Sequence, residues 1–139
     1  MGAYNYLDQK INPKHSNTFK LAYAIDSSSH LFRLKLLNED YLLKLSYRAV
    51  GCASYSAYNL FKGGYDFQLI SDLSIWDVAA IILIADEIGL KSHRFFPSGK
   101  YGYGNFATSK YWILFYKPDL NETLLENLIN SIDRLKDIK

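Results

Sequence analysis

The chain has 139 residues, of which 49% are hydrophobic and 22% charged, and its formal net charge is +2. That is one domain's worth of sequence with material for a real core, and no apolar run is long enough to cross a bilayer. So small a charge, with acidic and basic residues interspersed, points to neither a membrane nor a nucleic-acid partner.

A single cysteine, Cys52, excludes an internal disulfide and a cysteine-based zinc site. The N-terminus lacks the basic-then-apolar layout of a secretory leader, which sets a cytoplasmic expectation. The twelve tyrosines are scattered rather than periodic, so no repeat architecture is expected.

Residues 1–18 are polar, contain Pro13 and carry no sustained period, so they read as a tail or linker ahead of a domain spanning 19–139. Phe19, Leu21, Tyr23 and Ile25 alternate, which predicts a strand with one buried face. After Asp26-Ser27-Ser28-Ser29, the three- and four-residue steps of Leu31, Leu34, Leu37, Tyr41 and Leu45 predict an amphipathic helix that Asn38-Glu39-Asp40 can interrupt. A short strand over Ser46–Val50 leads into Gly51. Ala53–Lys62 reads as a helix stopped by Gly63-Gly64, and Tyr65–Ile70 as a further strand.

Ser74 stands at an N-cap position and Gly89 at a C-terminal one, so a helix is predicted from Ile75 to Ile88. A strand over Lys91–Phe96, turns over Pro97–Gly104 and an apolar strand over Tyr111–Tyr116 follow. Leu120, Leu124, Leu128, Ile132 and Leu135 line one face of a last helix, capped by Asp119 or Asn121. Strands alternating with helices make this an α/β layered domain. Its sheet should be mixed, because several connections are too short for full crossovers.

Asp77 is a lone carboxylate opening an apolar, alanine-rich helix. A helix-start aspartate is explained by capping and by the helix dipole alone, so the surrounding pattern has to carry any functional reading. That pattern is Trp76-Asp77-Val78-Ala79-Ala80, preceded by Arg48-Ala49-Val50-Gly51-Cys52-Ala53. The pair resembles the inositol monophosphatase family, which has Arg-x-x-Gly-Ser/Thr-Ala on a strand entering a helix and then Trp-Asp-x-Ala-Ala, with the same interval as Gly51 to Trp76. Gly63-Gly64-Tyr65-Asp66 resembles the family's Gly-x-x-Asp turn. Phe115 to Leu120 with Leu124-Leu125 resembles its closing strand, turn and terminal helix.

The resemblance covers roughly residues 45–132 and implies the C-terminal lobe of the inositol monophosphatase, or carbohydrate phosphatase, fold. It implies Mg2+-dependent hydrolysis of a phosphate monoester on a small molecule, with Asp77 a metal ligand and the backbone of Gly51, Cys52 and Ala53 beside the substrate. Only that lobe is implied, because the Asp-Pro-Ile/Leu-Asp-Gly-Thr motif of the first metal has no counterpart: the chain contains no Asp-Gly, Gly-Thr or Asp-Pro. The chain alone is therefore expected to be catalytically silent and to bind Mg2+ weakly or not at all.

Ile70 stands where many inositol phosphatases place a glutamate that reaches a substrate hydroxyl. That keeps open a bisphosphate (3′-phosphoadenosine) nucleotidase lobe, and a non-catalytic interaction module is a third reading. A lobe without its companion exposes apolar surface, so a homo-oligomer is expected. Cys52 reads as a small buried thiol, and His15, His30 and His93 have no ligand-pair spacing. Gly99-Lys100-Tyr101-Gly102-Tyr103-Gly104 lacks the Gly-Lys-Ser/Thr of a P-loop.

Overall fold

In a computed structural model, residues 21–48, 51–95 and 110–138 are described. The expected tail over 1–18, the start of the first strand and the turns over Pro97–Gly104 lie outside them. The described elements run β1 Ala22–Ser27, α1 His30–Leu37, α2 Asp40–Leu43, β2 Ser46–Arg48, α3 Ala53–Phe61, β3 Phe67–Leu73, α4 Ile75–Ile88, β4 Lys91–Arg94, β5 Tyr111–Tyr116 and α5 Glu122–Leu135. One five-stranded sheet has the order β2-β1-β3-β5-β4. Strand β1 is parallel to both neighbours, whereas β5 is antiparallel to β3 and to β4, so the sheet is mixed as expected.

The chain leaves β1 for β2 in one direction and returns past β1 to β3 in the other. Both crossovers can be right-handed only if their helices lie on opposite faces of the sheet. The buried side chains divide accordingly. Tyr23, Ile25, Phe67, Leu69, Trp112 and Leu114 pack with Phe32 and Leu36 of α1, Leu42 of α2, and Leu128 and Ile132 of α5. Ala24, Ile70, Ile113 and Phe115 pack with Ala57 and Leu60 of α3 and with Val78, Ile81 and Ala85 of α4.

Two expectations are corrected here. Strand β1 is covered on both faces, with Tyr23, Ala24, Ile25 and Asp26 all buried. The intervening positions are small or hydrogen-bonded residues that fit beneath α3. In α1 the buried residues are Phe32 and Leu36, while Leu31 and Leu34 are exposed. The leucine ladder identified the helix but placed its inner face about one residue out of phase, because Phe32 offers the larger area to bury.

The caps agree with the local chemistry. The Asn121 side chain accepts from the Leu124 N–H at 3.0 Å, which selects it over Asp119 as the start of α5. Gly89 ends α4 at φ 81°, a left-handed value that glycine adopts without strain. On β3 the register slips between Ile70 and Leu73, and Asp72 sits there at φ 57°. Tyr41 ties α2 to α5 by donating to Ser131 Oγ at 2.8 Å.

Candidate functional site

In an open parallel sheet, the place for a ligand is outside the carboxyl ends of two strands whose following helices go to opposite faces. Strand β1 is followed by α1 on one face, while β2 and β3 are followed by α3 and α4 on the other. A crevice of about 150 Å³ lies there, bordered by Asp26, Ser27 and Ser28 after β1, Arg33 of α1, Tyr47 of β2, Gly51 and Ala53 at the entry of α3, and Leu73 at the end of β3.

The polar floor of the crevice is tied together across three elements. Gln68 Nε2 donates to Asp26 Oδ2 at 2.8 Å and to the Ala53 carbonyl at 3.0 Å, and Ser56 Oγ donates to Asp26 Oδ1 at 3.3 Å. Gln68 Oε1 is buried and finds no hydrogen-bond donor among the described residues. At the rim, Arg33 Nη2 lies 3.0 Å from His30 Nδ1. The entry of α3 has no acidic residue in its first turn, and its cap residue Cys52 makes no side-chain cap hydrogen bond. The N–H groups that a helix start leaves unpaired, together with the Arg33 guanidinium, give the crevice an anion-accepting side.

Burial pushes the Asp26 carboxyl above the ordinary carboxylate range, against the opposing pull of the Gln68 and Ser56 hydrogen bonds and the Arg33 charge. The folded state therefore holds the Asp26 proton more tightly than the unfolded chain does. The stability Asp26 confers is greatest below the unfolded carboxylate value, about pH 4, and is lost as pH rises through the raised folded value. Asp26→Asn is accordingly expected to gain stability relative to wild type as pH rises from about 3 to 7. Urea denaturation across that range checks this; a stability difference independent of pH contradicts it.

The structure brings Gly51 and Ala53 to the crevice wall. Gly51 has φ +70° and nothing within 4 Å of where a Cβ would stand, so glycine serves the turn there rather than a close contact within the fold. Cys52 is exposed, not the buried thiol expected, because an N-cap residue projects beyond the helix it begins. Asp77 is exposed in the first turn of α4, and its Oδ2 accepts the Ser74 N–H at 3.2 Å in a capping box. It lies four residues beyond Leu73 and is not part of the crevice wall.

Sequence reading missed Asp26, Gln68 and Arg33. Only Asp26-Ser27-Ser28-Ser29, a polar run at the end of an apolar strand, signalled anything there. No three His, Cys, Asp or Glu side chains among the described residues are grouped so as to hold a metal ion, so the donor set does not fit Mg2+ held by this chain alone. No helix of the described residues is long and apolar enough to cross a membrane.

No family model matches the sequence, and no curated protein matches it. Solved structures do match the fold. The Thermotoga maritima IMPase superposes with TM-score 0.63 at 20% identity, covering 91% of this chain and 48% of that one. SaIMPase-II, solved with inositol monophosphate bound, gives TM-score 0.63 at 19% identity, covering 96% and 50%. An IMPase/NADP phosphatase complexed with Mg2+ and phosphate gives 0.56 at 17% identity, covering 89% and 44%. The fold is thus that of one part of the inositol monophosphatase structures, and the chain spans about half their length.

Proposed function

We propose that this chain is one lobe of an inositol-monophosphatase-like phosphate monoester hydrolase. In this reading the crevice holds part of a phosphorylated small molecule, and the chain does not complete the hydrolytic chemistry alone. The observation that carries it is the placement of the Gly51–Ala53 turn, which bears the family-like motif, at the open start of α3 across a crevice from Arg33. A phosphate or polyol there would take hydrogen bonds from the first-turn N–H groups of α3 and charge from Arg33, while Asp26 would accept from a hydroxyl.

Solved structures of this fold that carry inositol monophosphate, or Mg2+ and phosphate, support the ligand class. The donors among the described residues do not by themselves make a Mg2+ site. By its motif, Asp77 would be this lobe's carboxylate toward a metal site that lies outside the crevice and whose other ligands come from elsewhere. Ile70 is fully buried under the α3 and α4 layer and cannot read a substrate hydroxyl, so a bisphosphate nucleotidase lobe remains the alternative within the same chemistry. The capping box at Asp77 favours a second reading, a non-catalytic interaction module, since a carboxylate with a structural partner needs no metal to explain it.

The test is an amide NMR titration with inositol monophosphate and with inorganic phosphate. Shifts are expected to cluster at Gly51, Ala53 and Ser54 and to disappear in Arg33→Ala. The chain alone, assayed with Mg2+ on both inositol monophosphate and 3′-phosphoadenosine 5′-phosphate, is expected to release no phosphate above background. Shifts that avoid the crevice would overturn the phosphatase reading and leave the interaction module.

A further inference from the structure

Asp26 is buried at the floor of the crevice, and no cationic side chain among the described residues forms an ion pair with it. Its two oxygens accept only from neutral donors, Ser56 Oγ and Gln68 Nε2. Arg33 acts on it through its field alone, since the guanidinium is engaged with His30. Burying a carboxylate without a countercharge is costly, and such a group beside a cavity is a candidate for ligand recognition.

The neighbouring polar groups do not make up the shortfall. Ser27 Oγ donates to the Ser29 carbonyl at 3.3 Å and Ser28 Oγ to the Asp72 carbonyl at 3.2 Å, so neither serine has a proton left for Asp26. Gln68 cannot be turned around, because Nε2 already meets two acceptors, Asp26 Oδ2 and the Ala53 carbonyl, and Oε1 in its place would face both. Oε1 is left buried without a donor among the described residues, and its partial negative charge adds to that of the carboxylate. The floor of the crevice is therefore negative and short of donors. Its rim, with Arg33 and the first-turn N–H groups of α3, is positive.

We propose that the crevice takes a phosphate monoester of a small amine, with the phosphate at the α3 entry and Arg33 and the ammonium against Asp26. This rests on the phosphatase reading of the crevice and names the chemical class of its substrate. A hydroxyl donates one hydrogen bond and leaves the charge of Asp26 uncompensated, whereas an ammonium supplies both donors and a countercharge. A cation in contact favours the ionised carboxylate, which burial alone disfavours. Tyr47 also borders the crevice, and aromatic rings attract ammonium groups. With a volume of about 150 Å³, the crevice suits a short ligand whose two charges lie a few bonds apart.

NMR titration of the full chain at neutral pH with 2-aminoethyl phosphate and 2-hydroxyethyl phosphate tests it, since these probes differ only in the group placed against Asp26. Attraction to Arg33 and to the start of α3 favours the hydroxyl compound, which carries the larger net negative charge. A preference for the amine therefore has to come from a negative group on the floor. Both probes are expected to shift the Gly51 and Ala53 amides, the amino compound binding roughly ten-fold more tightly or better. Only the amino compound should strongly shift the Gln68 side-chain amide. In Asp26→Asn the two affinities should become equal or reverse, and the wild-type comparison stands even where that variant fails to fold. Equal binding by wild type, or tighter binding of the hydroxyl compound, with shifts at Gly51 and Ala53 would overturn the amine inference and leave the phosphatase reading standing. A preference for the amine that survives in Asp26→Asn would overturn the inference too. Failure of both probes to shift the crevice would overturn the inference and the phosphatase reading together.

Discussion

Replacing Lys117 with alanine is expected to lower the unfolding free energy by about 3–5 kcal/mol, because it strands a buried carboxylate. Lys117 and Asp66 are almost completely buried, and Lys117 Nζ donates to Asp66 Oδ1 at 3.1 Å and to the Gly63 carbonyl at 3.3 Å. The other carboxylate oxygen, Asp66 Oδ2, accepts the Ala22 N–H at 2.8 Å. Backbone bonds from Asp66 N to Ala22 O at 2.7 Å and from Lys117 N to Asp66 O at 3.0 Å complete the knot. It joins the start of β1, the start of β3 and the end of β5, at the opposite end of the sheet from the crevice.

The pair itself adds little to stability relative to an apolar replacement, since desolvating two charges offsets most of their attraction. Asp66→Asn with Lys117→Met should therefore recover much of the loss, because asparagine keeps an acceptor for the Ala22 N–H and no charge is left unpaired. Urea denaturation of the two single variants and the double variant measures the coupling. Additive effects would show that the two side chains act independently and that the ion pair is not what holds this corner.

Trp112→Ala is expected to cost about 3–5 kcal/mol, followed by circular dichroism in urea. The indole is buried between the sheet and α1, edge-on to Phe32 with ring centroids 4.6 Å apart. Its Nε1–H donates to Asp72 Oδ1 at 3.1 Å across the bulge of β3. Truncation leaves a cavity and removes the partner of a residue held at φ 57°. Trp112→Phe keeps most of the volume and loses the hydrogen bond, so a smaller loss of about 1–3 kcal/mol is expected. Adding Asp72→Gly to that variant should return part of it, since glycine adopts the left-handed backbone without strain. If Trp112→Phe is neutral, the bulge does not depend on the indole.

What these residues settled by themselves is local. The bounds of α4 were readable because a capping serine, an apolar run and a glycine lie within one short segment, and each acts on its own neighbours. Strand β5 and helix α5 were readable for the same reason, from an uninterrupted apolar run and a strict three- and four-residue period. The paired motifs around Gly51 and Asp77 pointed to the fold, since the spacing between them follows from the α3–β3 segment that links them.

Folding decided everything that depends on partners distant along the chain. Lys117 and Asp66 look like ordinary polar residues beside turns, and only the meeting of three strand ends buries them together. Asp26 became the floor of a crevice because Gln68 and Ser56 arrive from other elements to hydrogen-bond it. The inner face of α1 was chosen by the gap beside Trp112 that Phe32 fills. Capping and periodicity act over one or two turns of chain, so sequence carries them directly. Burial, charge pairing and the crevice arise from surfaces that exist only once the sheet has brought its strands side by side.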